Sequence, residues 1–143
     1  MKRLAFVLLM AVATVLAACG GTEPEAMPAV ELSLTATDIA YDMNHLEVVA
    51  GQTIKLTLHN TGALEHDFSI MEIPHAGEVV AEEIEHASEH EMTMDPEVHV
   101  APPMGSSGSI EFTPSTPGEY EFFCTVEGHR EAGMVGTLVV TAP

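Results

Sequence analysis

The sequence predicts an all-β domain, an antiparallel β-sandwich with one short acidic helix in an inserted connection. Three observations carry that expectation: short runs in which apolar and polar residues alternate with period two, turn signals between those runs, and a length suited to one core. The chain has 143 residues, and the first eighteen differ in character from the rest. What remains can bury one respectable core but would be cramped as two domains.

In chain order, Lys2 and Arg3 precede an apolar stretch from Leu4 to Ala18 that is too short for an ordinary spanning helix, the pattern of an export signal. It ends in Leu16-Ala17-Ala18-Cys19-Gly20, which resembles the processing site of bacterial lipoproteins. Residues 1–18 are therefore expected to be removed and Cys19 to be acylated, the alternative being simple cleavage near Ala18 beside an incidental cysteine. Residues 19–30 contain Gly, Pro and Glu without apolar periodicity and are expected to form a flexible membrane tether, with the folded domain over 31–143.

Within that domain Leu32, Leu34 and Ala36 alternate with Ser33, Thr35 and Thr37, and Ile54, Leu56 and Leu58 alternate with Thr53, Lys55 and Thr57. Both runs read as half-buried strands. Further strands are expected at His45 to Ala50, His66 to Met71, Gly108 to Thr113, Glu119 to Thr125 and Val135 to Thr141. Ala50-Gly51, Asn60-Thr61-Gly62 and Pro117-Gly118 supply the turns between them. About seven short strands so punctuated indicate the sandwich. The connection from Glu72 to Ser107 lacks clear alternation. It places Val80, Ile84 and Ala87 at helical spacing among Glu78, Glu82, Glu83, Glu85 and Glu89, which predicts one acidic helix there.

Beyond the leader, all 22 acidic residues remain but only Lys55 and Arg130 of the basic ones, a formal charge near −20. That field repels phosphates, so nucleic acid is excluded as a partner, and it favours encounter with a basic protein patch. The chain has no P-loop, no GxGxxG or GxSxG pattern and no CxxCH haem attachment sequence. With Cys19 carrying lipid, Cys124 has no cysteine to pair with in a compartment where disulfides form, and metal ligation is the leading reason for keeping it.

The stretch Tyr120 to Gly136, YEFFCTVEGHREAGMVG, sets Cys124, His129 and Met134 apart by four intervening residues each, between an aromatic and an aliphatic strand. A thiolate and imidazoles in a roughly trigonal plane, with a weak axial thioether, suit copper that cycles between Cu(I) and Cu(II). One more imidazole is needed. His66, which follows the turn at Asn60-Thr61-Gly62 and precedes Asp67-Phe68, is the better candidate, and His59 at the end of an earlier strand is the competitor. Each of these residues taken singly is read more simply as core or loop; it is their combination with the flanking strands and the export signal that points to metal.

These residues resemble the cupredoxins, the small type 1 blue copper proteins, over essentially the whole region from Glu31 to Ala142. Plastocyanins place fewer residues between the cysteine and the histidine, and azurins fewer between the histidine and the methionine. CTVEGHREAGM is most similar to the auracyanins. The resemblance implies a Greek-key β-sandwich with one copper near one end and one-electron shuttling between redox proteins, such as a cytochrome or a membrane electron-transfer complex. It gives Cys124 the role of the coupling thiolate, His66 that of the buried imidazole, His129 that of the imidazole reaching the docking surface, and Met134 that of the axial ligand. The family often has asparagine after the first histidine, steadying the residue after the cysteine. Here those positions hold Asp67 and Thr125, and a carboxylate there is expected to affect the potential more than copper binding.

The inserted connection also contains His75, His86, His90 and His99 with Met92, Met94 and Met104. His86 and His90 would share one face of a helix, so a secondary copper site is an expectation alongside that of an ordinary solvated helix. The leading functional class is thus a monomeric extracytoplasmic electron carrier, on the periplasmic or cell-surface side, anchored by lipid on Cys19. A copper storage or delivery protein using the insert is the alternative. An enzyme is not expected, since copper oxidases and nitrite reductases of this fold need a second domain and further histidines.

Overall fold

A computed structural model describes residues 27–82 and 94–143. Among the described residues ten strands form two five-stranded sheets. They are β1 (Val30–Thr37), β2 (Ala40–Tyr41), β3 (His45–Val49), β4 (Ile54–Asn60), β5 (Phe68–Ile70), β6 (His75–Glu82), β7 (Val98–Val100), β8 (Ser107–Pro114), β9 (Gly118–Phe123) and β10 (Val135–Thr141). One sheet runs β2-β1-β4-β8-β6 and the other β3-β10-β9-β5-β7. No helix among the described residues is long and apolar enough to cross a membrane.

The period-two runs become strands because each can turn one face inward. Ile54, Leu56 and Leu58 of β4, Ile110 and Phe112 of β8, and Leu138 and Val140 of β10 are all buried, while the residues between them are half-buried or exposed. Leu34, Leu46, Phe68 and Phe122 join them in one continuous core between the sheets. Gly136 shows how tight that core is. A Cβ at this position would lie 2.1 Å from Phe122 Cζ, so only glycine lets β10 pass the aromatic ring.

The expected antiparallel pairing is corrected in one pair of each sheet. β1 runs parallel to β4, with Leu34 opposite Leu58, and β3 runs parallel to β10, with Leu46 opposite Leu138. The chain crosses from one sheet to the other after β2 and returns at β4, so β1 and β4 meet in the same direction. Alternation reports which face is buried, and it is silent about the neighbour's direction.

The connection expected to be irregular with a helix is corrected as well. It begins as strand β6, paired with β8, and Val80 sits in that strand with 48% of its surface exposed. Most residues of β6 face outward, so it shows no alternation for a sequence reading to detect. Residues 83–93, the remainder of the expected helix with His86 and His90, lie outside the described residues. The connection then re-enters the fold through β7, whose Val98 and Val100 are fully buried against β5. At the N-terminus, Val30 already belongs to β1, and Gln52 Nε2 donates to Pro28 O at 3.0 Å. Cys19 and the leader lie outside the described residues.

Candidate metal centre

Strand ends deliver the four candidate ligands to one place. The strand expected from His66 is shorter than the sequence suggested, so His66 and Asp67 occupy the turn into β5 and are not held in a ladder. Cys124 follows the last residue of β9, and Met134 immediately precedes β10. The loop between them closes on itself: Cys124 N donates to Met134 O at 3.2 Å, Met134 N to His129 O at 2.9 Å, and His129 N to Val126 O at 3.0 Å. Gly128 and Gly133 take φ values of +82° and +103°, a region favouring glycine, and they turn the loop on either side of His129.

The ligand atoms of His66, Cys124 and His129 all lie within 4.8 Å of one another. Cys124 Sγ is 3.5 Å from His129 Nδ1, and the two imidazole rings are 5.1 Å apart between centroids. Met134 and Cys124 are buried, and His129, at 7%, keeps the most surface of the four. Both ring nitrogens of His66 are buried without a hydrogen-bond partner among the described residues. A buried polar atom left unpaired is costly, and a metal ion is the partner that suits an imidazole beside a thiol and a second imidazole. Gly62 makes this possible by passing against the ring, since a Cβ there would lie 3.0 Å from His66 Nε2.

Electrostatics agree with that fit. Burial, and after it the second imidazole of His129, hold His66 below the ordinary histidine range, so its ring is neutral and its lone pair available. Burial, and after it the charge of Asp67, push the Cys124 thiol up to about 12. Metal binding at neutral pH must therefore displace that proton. The donor set of one thiol, two imidazoles and one thioether fits copper, which these residues would hold through soft and borderline donors.

His59 stands outside the cluster. Its Nδ1 lies 2.6 Å from Ser107 Oγ, a partner on the neighbouring strand. The expected contact between Asp67 and Thr125 is present: the carboxylate accepts from Thr125 N at 2.9 and 3.0 Å and from Thr125 Oγ1 at 2.7 Å. Several supporting residues gave no signal of their own in the sequence. Ser69 Oγ donates to Asp67 Oδ1 at 2.8 Å and lies 2.9 Å from His99 Nδ1, and the Tyr41 hydroxyl donates to Asp67 O. Burial, then the charges of Cys124 and Asp67, keep that hydroxyl protonated well above its usual range. Arg130 lies 4.3 Å from the centroid of the Phe123 ring and pairs with Glu121, pinning the outer side of the ligand loop.

A β-sandwich that gathers two histidines, a cysteine and a methionine where its strands end defines a class, the β-sandwich metalloproteins with a buried soft-ligand site. Residues 6–140 match the cupredoxin-like domain, and the chain belongs to that family. It is 27% identical to auracyanin-A of Chloroflexus aurantiacus over 164 aligned positions, covering 98% of this chain and 97% of that one. It is 36% identical over 106 residues to the copper-resistant cuproprotein CopI of Rubrivivax gelatinosus, covering 70% of this chain but only 59% of the relative's length. Among solved structures, dithionite-reduced auracyanin from the photosynthetic bacterium Roseiflexus castenholzii superposes with a TM-score of 0.59 at 25% identity, over 79% of this chain and 98% of that one.

Proposed function

We propose that the chain is an electron carrier in which His66, Cys124, His129 and Met134 would hold one type 1 copper. The observation that carries this reading is the buried cluster itself, in which neither ring nitrogen of His66 has a hydrogen-bond partner among the described residues. When bound, copper supplies the one-electron Cu(I)/Cu(II) couple. The chain's own residues hold the ligands in nearly fixed positions. The hydrogen-bonded loop from Cys124 to Met134 sets three of them, and the turn at His66, tied to Thr125 through Asp67, sets the fourth. Burial of all four excludes water, and little ligand movement on electron transfer means a low barrier. His129, the most exposed ligand, offers the route by which an electron enters and leaves.

The partners proposed are redox proteins with a basic docking patch. Lys55 and Arg130 are each paired with a glutamate, Glu82 and Glu121, which leaves the strong negative charge of the chain unrelieved. The proposed setting is extracytoplasmic, with lipid on Cys19 as the membrane anchor; the leader and the Ala18-Cys19-Gly20 junction support it. The visible spectrum of the full chain in detergent with one equivalent of Cu(II), beside a Cys124→Ser control, tests the central reading. An intense blue band lost in the control and on reduction is expected, and a pale wild-type solution would refute it.

Two observations favour a second reading, copper handling. The CopI relative is named for copper resistance, and this chain has seven His and Met residues between Glu72 and Ser107. A carrier holds one copper per chain, whereas a storage or delivery protein takes up more and surrenders it to a partner. Equilibrium dialysis against Cu(I) separates the two.

A further inference from the structure

We propose that the Asp67 carboxylate is a charged determinant of the copper centre's redox preference, holding it toward the oxidised state. The inference rests on the copper reading above and deepens it. Asp67 is 3% exposed, and its Oδ2 lies 3.7 Å from Cys124 Sγ. Thr125 N, Thr125 Oγ1 and Ser69 Oγ all donate to its two oxygens. Ser69 has a single hydroxyl hydrogen and gives it to Asp67, so the 2.9 Å contact with His99 is made by a donating Nδ1–H. The Thr125 N–H, fixed by the backbone, thus points at both carboxylate oxygens, and the Thr125 and Ser69 hydroxyls lie within donating distance, an arrangement that suits an acceptor-only carboxylate fixed in place.

The charge count follows. A thiolate and Cu(II) with neutral imidazoles carry one net positive charge, which falls to zero when an electron supplied by a reduced partner protein converts Cu(II) to Cu(I). With the Asp67 carboxylate beside the sulfur, the same step runs from neutral to one net negative charge. Charge buried in a medium of low dielectric interacts strongly, so the electron enters less readily and the oxidised form is favoured. A neutral side chain at this position would lift that penalty. The carboxylate also holds the backbone N–H of the residue after the ligand cysteine, so its charge is positioned by the contact that orders the ligand loop.

A redox titration of the copper-loaded full chain, followed at the blue band, tests this with two neutral variants, Asp67→Asn and Asp67→Ser. Both are expected to shift the Cu(I)/Cu(II) ratio at a fixed ambient potential toward Cu(I) by about tenfold or more, which for one electron is about 59 mV upward. Chelator competition gives a second readout. The ratio of Cu(II) to Cu(I) affinities must fall by the same factor, because binding and reduction close one thermodynamic cycle. A rise in the asparagine variant alone overturns the proposal, since only the amide brings a new donor toward Sγ. An unchanged or lowered potential in both variants overturns it as well, with the blue band intact. Absence of the band from wild type and variants alike would refute the copper reading itself, and this proposal with it.

Discussion

The ligand loop from Cys124 to Met134 and the connection from Glu72 to Ser107 are both rich in residues that bind soft metals, yet the fold treats them differently. The loop is bracketed by β9 and β10, whose Phe122, Phe123, Leu138 and Val140 are buried, and it is closed by its own backbone hydrogen bonds. The connection begins with β6, a strand that turns most of its residues outward, and its described residues reach the core at Ile73, Val98 and Val100. Ligand chemistry in a sequence becomes a site when the backbone on both sides is anchored in a core.

The comparison is broken most directly by moving ligands on either side of it. Cys124→Ser is expected to abolish the blue band, whereas the double variant His86→Asn, His90→Asn should leave its intensity at one copper unchanged. Loss of the band in the second variant would shift the primary site toward the connection.

Stability should divide in the same way. Phe122→Ala empties the space where the two sheets meet near the ligand loop, and about 3–5 kcal/mol should be lost in denaturant unfolding of the metal-free protein. Gly136→Ala forces a methyl into the Phe122 ring and should cost about 1–3 kcal/mol, recovered in part when Phe122 is also made smaller. Val80→Thr on the exposed face of β6 should stay within about 0.5 kcal/mol of wild type. A large loss there would mean that residues of the connection cover β6.

Copper binding should depend on pH through Cys124. Its thiol, raised to about 12, remains protonated across the neutral range and must release that proton on binding. The apparent Cu(II) affinity should therefore fall about tenfold for each pH unit of acidification, a slope readable by competition with a chelator of known proton dependence. His66, held below the usual histidine range, adds to that slope only under more acidic conditions.

How far the sequence reached can be traced through individual residues. The spacing of Cys124, His129 and Met134 was legible because three ligands on one short loop need no tertiary information to be seen together. The strands with one buried face, such as β4 and β10, were legible because period two is a local property. β6 and β7 were missed, the first for want of a buried face to alternate, the second because it is only three residues long. Tyr41, Ser69 and His99 carry no local mark of their part around Asp67, since their relation to it is one of contact.

By itself, then, the sequence determined the all-β class, the acidic character and the residue types available to hold a metal, all properties written in composition and short-range periodicity. Only the tertiary structure decided that β1 and β4, and β3 and β10, run parallel, and that His66 meets Cys124 while His59 turns to Ser107. It alone decided that a carboxylate lies beside the sulfur. The reason is physical: a side chain's neighbours across a sandwich are set by how two sheets pack and where their connecting turns end, and neither is encoded within any single window of residues.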